Sequence, residues 1–522
     1  MLHNRAMSKA KATALSPYLI ALGGIGAGAI ALRAYHLGSL SLWVDEMGTA
    51  TAAITPFPQF FAAVRDSLGA APLDYLGVKA FTTVLGHSTT ATRSFAFAMG
   101  CLGVFLIYAL GTRLYNDRLV GLISAAMLAL SAFDIYYSQE ARFYSLQLTV
   151  SIISLYTFLR ALDSGSTRSW LLYSAATVLT LYTHYFLAML LPVEGLYAAG
   201  HYLLPAIRNR AAQPLRPAVK QVALCLAAQL GALALFVPWI LFALPSQLST
   251  SNYGVLPALG LAKFHQIFVV LIGLAPLNSA PPAGIGQLAR TDLMLALAGA
   301  GLVWALALRR MRVLLLAAIV VLAIPLAWRL DQQSRYFWSE RQVIFVLAPV
   351  YLLAAIGVRH LLDAAAWLIR RIDPRWQGKQ MVAGLALAAL PVWTALYWSP
   401  VHLVLEGRWL SKEDWRGVAA YLDREHCQGA QFWSFIDAQY SYGFAYYAPD
   451  LKAHTHYLYV LPGGSFDPDA MDALQKQDVG AGDWLVLDSA TAAAADSALT
   501  AQGWSARSFT GLVVYHQQTC AG

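Results

Sequence analysis

Long apolar runs separated by short polar loops occupy the first four hundred positions of the chain. A helix needs about 20 mostly apolar residues to cross the hydrocarbon core of a bilayer. The pattern therefore predicts a polytopic α-helical membrane protein with about eleven spans. The runs lie at Pro17–Tyr35, Ser94–Leu110, Leu119–Tyr137, Phe143–Leu162, Trp170–Tyr185, Phe186–Leu204, Gln221–Leu244, Leu293–Leu308, Val313–Trp328, Val343–Val358 and Met381–Trp398.

The apolar run Phe264–Leu277 is shorter than the others, and proline and glycine flank it. We interpret it as an interfacial or re-entrant segment that does not cross the bilayer. Short loops rich in Lys and Arg stay in the cytoplasm. With this interpretation all the basic loops lie on the same side as the N-terminus, which predicts an inside N-terminus and an outside C-terminus. The basic positions are Arg5, Lys9, Lys11, Arg113, Arg118, Arg160, Arg168, Arg208, Arg210, Arg216, Lys220, Arg309, Arg310, Arg312, Arg370, Arg371, Arg375 and Lys379.

Composition supports the membrane assignment and divides the chain in two. Hydrophobic residues make up 58% and charged residues 12%, whereas soluble chains carry about 25% charged residues. The net charge of +8 does not indicate binding to nucleic acid, because the basic side chains are not gathered in one region of the chain. Residues 401–522 hold 7 basic and 14 acidic side chains, which makes this part acidic. The first 400 residues hold the other 29 basic and 14 acidic side chains, which makes that part basic. We predict a membrane domain at 1–400, with an outer loop at 36–93, and a soluble outer domain at 401–522.

The C-terminal domain shows short alternating or apolar runs that predict strands in a small α/β fold. These runs are Gln431–Ile436, Asp483–Leu487 and Gly511–Tyr515. Cys427 and Cys520 also lie in this domain, where an oxidising compartment permits a disulfide. A disulfide and two free thiols both remain open.

Polar clusters are the part of the pattern that carries chemistry, because ionisable groups near membrane depth are costly. The predicted topology places four of them on the outer side. They are Asp45-Glu46, Ser138–Tyr144, Tyr182–Tyr185 and Arg335–Arg341. The outer loop adds an amphipathic stretch, Phe57–Leu68, that predicts an interfacial helix. An outer cavity roofed by such a helix suits a lipid-borne substrate, whose tail stays in the bilayer while its head group reacts at the water boundary.

Three of these motifs, Asp45-Glu46, Ser138–Tyr144 and Thr183–Phe186, together resemble the family 39 glycosyltransferases. That group is similar to the dolichyl-phosphate-mannose protein mannosyltransferases and the bacterial lipid A aminoarabinose transferase, all of the membrane-embedded GT-C class. The resemblance implies an inverting transfer of sugar from a polyprenyl-phosphate donor. The family commonly has His-Pro-Pro-Leu-Tyr where this chain reads Ala71-Pro72-Leu73-Asp74-Tyr75, which leaves the acceptor open.

Inverting transfer needs a base for the acceptor proton, and a carboxylate at the membrane boundary serves this purpose. The resemblance points to Asp45 as this base, and the alternative is a solvated loop acid. Glu46 is the second catalytic candidate, although it also fits orienting Asp45, binding the acceptor or facing water.

The leaving group is a lipid phosphate, which cationic groups stabilise. The candidates are Lys79, Arg142 and Arg341, with Tyr144 as a hydrogen-bonding partner. Each has an alternative: Arg142 could pair with Glu140 and fix the turn, Arg341 could be an interfacial anchor, and Tyr144 could belong to an aromatic belt. Arg335 replaces Arg341 if the register differs.

Glu140 and His184 are candidates for binding substrate. Glu140 fits a sugar hydroxyl or a divalent ion, and His184 fits phosphate, a polar brace or a metal. No Cys/His spacing resembles a closed zinc site, so we assign no metal ligands, and metal dependence remains open.

We therefore predict a polyprenyl-phosphate-sugar-dependent glycosyltransferase in the bacterial inner membrane, with its active site facing the periplasm. Its acceptor is a cell-envelope glycolipid, polysaccharide or protein. The alternative is a polytopic transporter or lipid flippase, which usually shows paired halves and polar residues at mid-span. A non-catalytic assembly or polysaccharide-binding protein is a third interpretation, and it would tolerate loss of Asp45.

Overall fold

The computed structural model describes residues 17–517 except for 68–70, 209–214, 251–257, 276–283, 335–337, 373–378, 409–411, 427–428, 435–440, 453 and 458–481. The chain forms two compact units. The membrane unit comprises Met1–Tyr35, Phe61–Leu76 and Phe95–Glu406. The α/β unit comprises His36–Phe60, Gly77–Ser94 and Gly407–Gly522.

Helices dominate the described chain up to residue 405. They are α1 (Pro17–Ala34), α2 (Val44–Ile54), α3 (Phe57–Arg65), α4 (Pro72–Leu85), α5 (Thr89–Tyr115), α6 (Arg118–Ala129), α7 (Ala132–Ser138), α8 (Tyr144–Ser164), α9 (Thr167–Leu181), α10 (Leu190–Arg208), α11 (Leu215–Thr250), α12 (Leu261–Leu271), α13 (Ile285–Ala307), α14 (Val313–Ala318), α15 (Ile324–Ser334), α16 (Leu347–Ile372) and α17 (Lys379–Leu405). Short 3₁₀ helices at Tyr185–Met189 and Glu340–Val346 precede α10 and α16, and a π-helical turn at Ile319–Ala323 joins α14 to α15.

The predicted polytopic helical fold is confirmed. Within the described residues, nine helical stretches are long and apolar enough to cross a membrane, and the bent pair α6–α7 makes ten. Each predicted span has a helical counterpart, although α9 has only 15 residues. The predicted non-crossing segment coincides with α12, whose 11 residues reach only about 16 Å at 1.5 Å per residue.

A sharp bend of 64° separates α6 from α7, where the sequence predicts one continuous span. Ser131 lies in the break, and its hydroxyl accepts a hydrogen bond from the Asp134 amide, which begins α7 as a new helix. Asp134 in turn accepts a hydrogen bond from Arg33 of α1 at 2.6 Å, and both side chains are completely buried. The break therefore holds α7 at an angle and places the polar turn that follows it inside the membrane unit.

The α/β unit contains a small mixed sheet with the order β2-β1-β3-β5-β4. Strand β1 runs parallel to β2 and β3, whereas β5 runs antiparallel to β3 and β4. The predicted strands correspond to β1, β3 and β5. The elements are α18 (Trp415–Glu425), β1 (Phe432–Ser434), α19 (Ser441–Tyr447), α20 (Pro449–Lys452), β2 (Thr455–Tyr457), β3 (Trp484–Asp488), α21 (Ser489–Ala501), β4 (Ser505–Phe509) and β5 (Leu512–His516).

The core of the α/β unit draws on distant parts of the chain. Leu42 and Met47, from the predicted outer loop, are buried in one apolar cluster with Trp415 and Val418 of α18 and Trp484 of β3. The predicted division at residue 400 follows chain order, whereas this unit also includes residues 36–60 and 77–94. Cys427 and Cys520, for which a disulfide and two free thiols are both open, lie outside the described residues. Cys101 and Cys225 are buried free thiols.

Candidate active site

The turn between α7 and α8 places three predicted site residues inside the membrane unit. The Arg142 amide donates a hydrogen bond to the Glu140 carbonyl at 2.7 Å, which makes the turn tight. Glu140 is completely buried, Arg142 is 8% exposed, and Tyr144 is buried at the start of α8. A carboxylate and a guanidinium thus lie in the interior of the unit, where burial of charge is costly.

Arg142 contacts the start of α4. Its Nη1 donates a hydrogen bond to the hydroxyl of Tyr75 at 3.2 Å, and the Leu73 amide donates one to the carbonyl of Tyr182 at 3.0 Å. The Pro72–Tyr75 segment, the α7–α8 turn and the residues before His184 therefore come together, although the sequence separates them widely.

Asp74 lies beside Arg142 in this group, although the sequence motifs did not single it out. It is 1% exposed, and neither of its carboxylate oxygens has a hydrogen-bond partner among the described residues. Burial raises its pKa to about 7, although the positive charge of Arg142 opposes this rise. Its position within an otherwise apolar start of α4, at the departure from the family pattern, was the available signal.

The raised pKa of Asp74 predicts a distinctive pH dependence of stability. Between about pH 4 and 7 the folded protein retains a proton on Asp74 that the unfolded chain has released. The contribution of Asp74 to the free energy of unfolding is therefore fully present below about pH 4 and is lost as the pH rises through about 7. A tenfold difference in proton affinity between the folded and unfolded chains corresponds to about 1.4 kcal/mol. Asp74→Asn should therefore raise the thermal unfolding temperature at pH 8 and flatten its decline between pH 5 and 8.

The matched control for this measurement is Asp66→Asn. The hydrogen bond from neighbouring Arg65 lowers the pKa of Asp66, and its side chain is 53% exposed. Asp66→Asn should leave the decline above pH 5 unchanged. Parallel curves for wild type and Asp74→Asn would show that Asp74 ionises in the folded protein as it does in the unfolded chain.

His184 is completely buried and is held in one tautomer. Its Nδ1 accepts a hydrogen bond from the Phe186 amide at 3.1 Å, so the ring proton resides on Nε2 and the imidazole is neutral. Nε2 has no hydrogen-bond partner among the described residues. The ring lies 4.6 Å from that of Phe143, which places His184 beside the α7–α8 turn. It therefore offers one hydrogen-bond donor inside the unit.

Arg341 approaches the same turn from the 3₁₀ helix before α16. Its guanidinium lies 5.4 Å from the centre of the Tyr144 ring and is 9% exposed. A cation over an aromatic face is electrostatically attracted to it. The neighbouring Glu340 is completely buried and accepts a hydrogen bond from Lys263 of α12 at 2.9 Å. The register therefore places Arg341 at the cluster, while Arg335 lies outside the described residues.

The membrane unit thus brings together three of the four predicted polar clusters. We call this group the arginine cluster, and its members share burial and contact through the α7–α8 turn. They are Asp74, Tyr75, Glu140, Arg142, Tyr144, His184 and Arg341.

The fourth predicted cluster lies in the α/β unit, in the first turn of α2. Asp45 is half-buried, whereas Glu46 is completely buried. Arg93 binds both oxygens of Glu46 at 2.7 and 2.8 Å, and Lys412 donates a further hydrogen bond at 2.8 Å. Burial raises the pKa of Glu46, but the two cations outweigh it and lower the pKa to about 2. Glu46 is therefore an ionised brace, and Asp45 is the accessible acid.

Lys79 also belongs to the α/β unit, where it stabilises the end of α2. Its ammonium donates hydrogen bonds to the carbonyls of Ala53 and Thr55 at 2.8 and 2.7 Å. It also lies 5.0 Å from the centre of the Phe57 ring. A cation at a helix C-terminus interacts favourably with the helix dipole. Lys79 thus caps α2, and its predicted binding to phosphate stays a prediction.

No group of three or more His, Cys, Asp or Glu side chains with metal-binding geometry occurs within the described ranges. Asp74, Glu140 and His184 are the members of the arginine cluster whose carboxylate oxygens or ring nitrogen are of the type that binds cations.

Comparisons with known proteins agree with this architecture. Residues 70–242, about a third of the chain, match the family described as dolichyl-phosphate-mannose-protein mannosyltransferase. A search of curated protein sequences gives no match.

Solved structures of two proteins are similar over nearly the whole chain. Apo ArnT from Cupriavidus metallidurans has a TM-score of 0.54 and 12% identity, covering 94% of this chain and 96% of its own. The structure of ArnT from the same organism bound to undecaprenyl phosphate has a TM-score of 0.52 and 12% identity, covering 96% of this chain and 98% of its own. The third structure is the oligosaccharyltransferase AglB from Archaeoglobus fulgidus in complex with an inhibitory peptide and a dolichol-phosphate. It has a TM-score of 0.52 and 11% identity, covering 96% of this chain and 74% of its own. Identities this low establish the fold alone. The predicted resemblance is confirmed at that level: the chain is a polytopic membrane protein with the fold of the GT-C glycosyltransferases.

Proposed function

We propose that this protein is an inverting glycosyltransferase that moves a sugar from a polyprenyl-phosphate donor to a cell-envelope acceptor. The observation that carries the proposal is the arginine cluster, in which Arg142 and Arg341 lie buried beside Tyr144 inside a GT-C fold. Guanidinium groups form strong charge-assisted hydrogen bonds with phosphate oxygens, so two arginines close together suit a lipid phosphate. The polyprenyl phosphates bound by ArnT and AglB support this class of donor.

In the proposed reaction the acceptor oxygen attacks the anomeric carbon of the sugar from the side opposite the phosphate. The carboxylate of Asp45 takes the acceptor proton as the new glycosidic bond forms. The bond between the anomeric carbon and the phosphate oxygen breaks, and its electron pair remains on the phosphate. The configuration at the anomeric carbon is thereby inverted.

Arg142 and Arg341 hold the departing phosphate and stabilise its growing charge, with Tyr144 as a hydrogen-bond donor. Glu140 and the Nε2 proton of His184 bind hydroxyl groups of the substrate. Glu46 positions Asp45, since its own carboxylate is saturated by Arg93 and Lys412.

The direct test supplies purified protein with polyprenyl-phosphate donors carrying labelled sugars, together with an envelope extract as acceptor. We expect release of free polyprenyl phosphate and transfer of label to the extract. Arg142→Ala should weaken donor binding at least about tenfold, because charge-assisted hydrogen bonds contribute about 1.5–3 kcal/mol. Arg118→Ala, at an exposed position, is the control. Failure of every donor with folded protein, or unchanged donor affinity in Arg142→Ala, would contradict the proposal.

We propose that the protein lies in the bacterial inner membrane with the α/β unit in the periplasm. The basic loops supply the orientation through the positive-inside rule. A reporter that is active only outside the cytoplasm should be active when fused after Gly522 and inactive when fused after Arg312. The opposite pattern would invert the proposed topology.

A further inference from the structure

A cavity lies at the other end of α8 from the arginine cluster. Tyr144 begins this helix and Asp163 lies in its last turn, so the two sites are about 30 Å apart at 1.5 Å per residue. The cavity has a volume of about 830 Å³, and Arg113, Asp163 and Tyr197 are among the residues that line it. It belongs to the membrane unit and lies on the side of the basic loops, which the positive-inside rule assigns to the cytoplasm.

The lining of this cavity is strongly basic. Four arginines, Arg113, Arg309, Arg310 and Arg312, face a single acidic side chain, Asp163. Asp163 pairs with Arg113 at 2.7 Å and also with Arg312. One carboxylate offsets one of four positive charges, so the lining retains a net charge of +3 before His201 is counted. Clustered cations of this kind attract an anion with more than one charge.

The backbone at Arg309 gives independent support. Its φ is +57°, a left-handed conformation that favours glycine and costs other residues about 1 kcal/mol. The residue directly follows the C-cap of α13, and the Arg310 amide donates a hydrogen bond to the carbonyl of Ala305 at 2.8 Å. Glycine commonly occupies this position in helix C-caps. Strain of this kind concentrates at sites where a side chain has a function.

The apolar residues beside the cavity indicate that its ligand has a hydrocarbon chain. Leu308 is 54% exposed and Met311 is 49% exposed, immediately next to the arginines. At the end of a membrane helix such side chains are within reach of the acyl chains of neighbouring lipids. Basic pockets between membrane helices on the cytoplasmic side are typical sites for anionic lipid headgroups.

We propose that this cavity binds a membrane lipid of the cytoplasmic leaflet whose headgroup is a phosphate monoester. A phosphate monoester carries a charge of about −1.5 to −2 and three strong acceptor oxygens, which match several arginines better than a singly charged diester does. Arg309 and Arg310 hold the phosphate, because Asp163 already pairs with the other two. The proposal is independent of the sugar-transfer chemistry at the opposite end of α8.

The test measures binding of labelled phosphatidic acid to the purified full-length protein in phosphatidylcholine–detergent micelles. Phosphatidic acid should bind at least about tenfold more tightly than phosphatidylglycerol, a diester. Arg309→Gln/Arg310→Gln should weaken this binding at least about tenfold. The control pair Arg118→Gln/Arg168→Gln removes two exposed cations from the same side outside the cavity and should leave binding unchanged.

Arg309→Gly separates folding from binding. Glycine relieves the left-handed backbone, so thermal stability should be maintained or raised while phosphatidic acid binds more weakly. Unchanged lipid binding in this variant, or equal losses in the control pair, would overturn the site. Equal affinities for phosphatidic acid and phosphatidylglycerol would overturn the monoester assignment. Inorganic phosphate binding as tightly as phosphatidic acid would overturn the assignment to a lipid.

Discussion

Asp45→Asn is expected to abolish sugar transfer while the protein stays folded and still binds its lipid donor. General-base catalysis contributes roughly 10²–10⁴-fold to rate, and an amide cannot accept the acceptor proton. Asp45 lies half-buried in the first turn of α2, beside the braced Glu46. Because asparagine has the same shape, the loss should appear in the rate of transfer and leave donor affinity within about twofold of wild type.

The control for Asp45→Asn removes a carboxylate from the same unit at an exposed place, and Asp423 of α18 serves this purpose. Asp423→Asn should transfer sugar at the wild-type rate. Donor affinity and thermal unfolding should be measured for all three proteins in parallel. If Asp45→Asn transfers within about threefold of wild type, another group is the base, and a non-catalytic role for the protein gains support.

The spans were predictable because a bilayer demands long apolar helices, and this demand is visible in one dimension. The bend between α6 and α7 was not, since Leu119–Tyr137 forms one apolar run in the sequence. It depends on Ser131 capping a new helix and on Arg33 reaching Asp134, 101 positions away. Long-range ion pairs leave no periodic pattern in a sequence.

The arginine cluster shows the same limit. The topology placed its motifs on one side of the membrane, but the hydrogen bond from Arg142 to Tyr75 depends on packing that the spacing does not encode. Asp74 was visible as a departure from a family pattern, yet only its burial reveals a carboxylate with a raised pKa. For Lys79 the sequence suggested a function and the structure shows a local contact. Its charge suggested binding to phosphate, and the structure places its ammonium at the carbonyls that end α2.

Arg93→Met is expected to destabilise the protein by about 3–5 kcal/mol, because it removes the donor from both oxygens of Glu46 and from three carbonyls, and a buried acceptor left unsatisfied costs about 1–3 kcal/mol. Arg93 binds both oxygens of Glu46 and also donates to the carbonyls of Leu37, Leu40 and Ser41 at 2.9–3.0 Å. We call Glu46, Arg93 and Lys412 the buried triad. In Arg93→Met, Lys412, which lies 366 positions from Glu46 in the sequence, is the cation of this triad that remains. The segment before α2 would lose its attachment, and the position of Asp45 with it.

Arg416→Met is the matched control for Arg93→Met. Arg416 also donates to carbonyls of this segment, those of Gly38, Ser39 and Leu40, but it is exposed and these three contacts are 3.3–3.5 Å. Its one shorter side-chain hydrogen bond in the described structure goes to the Thr89 hydroxyl at 2.9 Å. Thermal and denaturant unfolding in detergent should show a loss of at most about 1 kcal/mol for Arg416→Met. Equal losses for the two variants would contradict the prediction.

Arg93→Lys tests whether geometry or charge holds the triad together. A lysine keeps the positive charge but cannot bind both oxygens of Glu46 and three carbonyls at once. Glu46 has a pKa lowered to about 2, so its contribution to stability is present above about pH 4.3 and is lost as pH falls toward 2. Arg93→Lys should retain part of this acid-dependent stability and Arg93→Met less. Because both changes act on Asp45 through Glu46, transfer should fall in the same order while the affinity for the lipid donor remains unchanged.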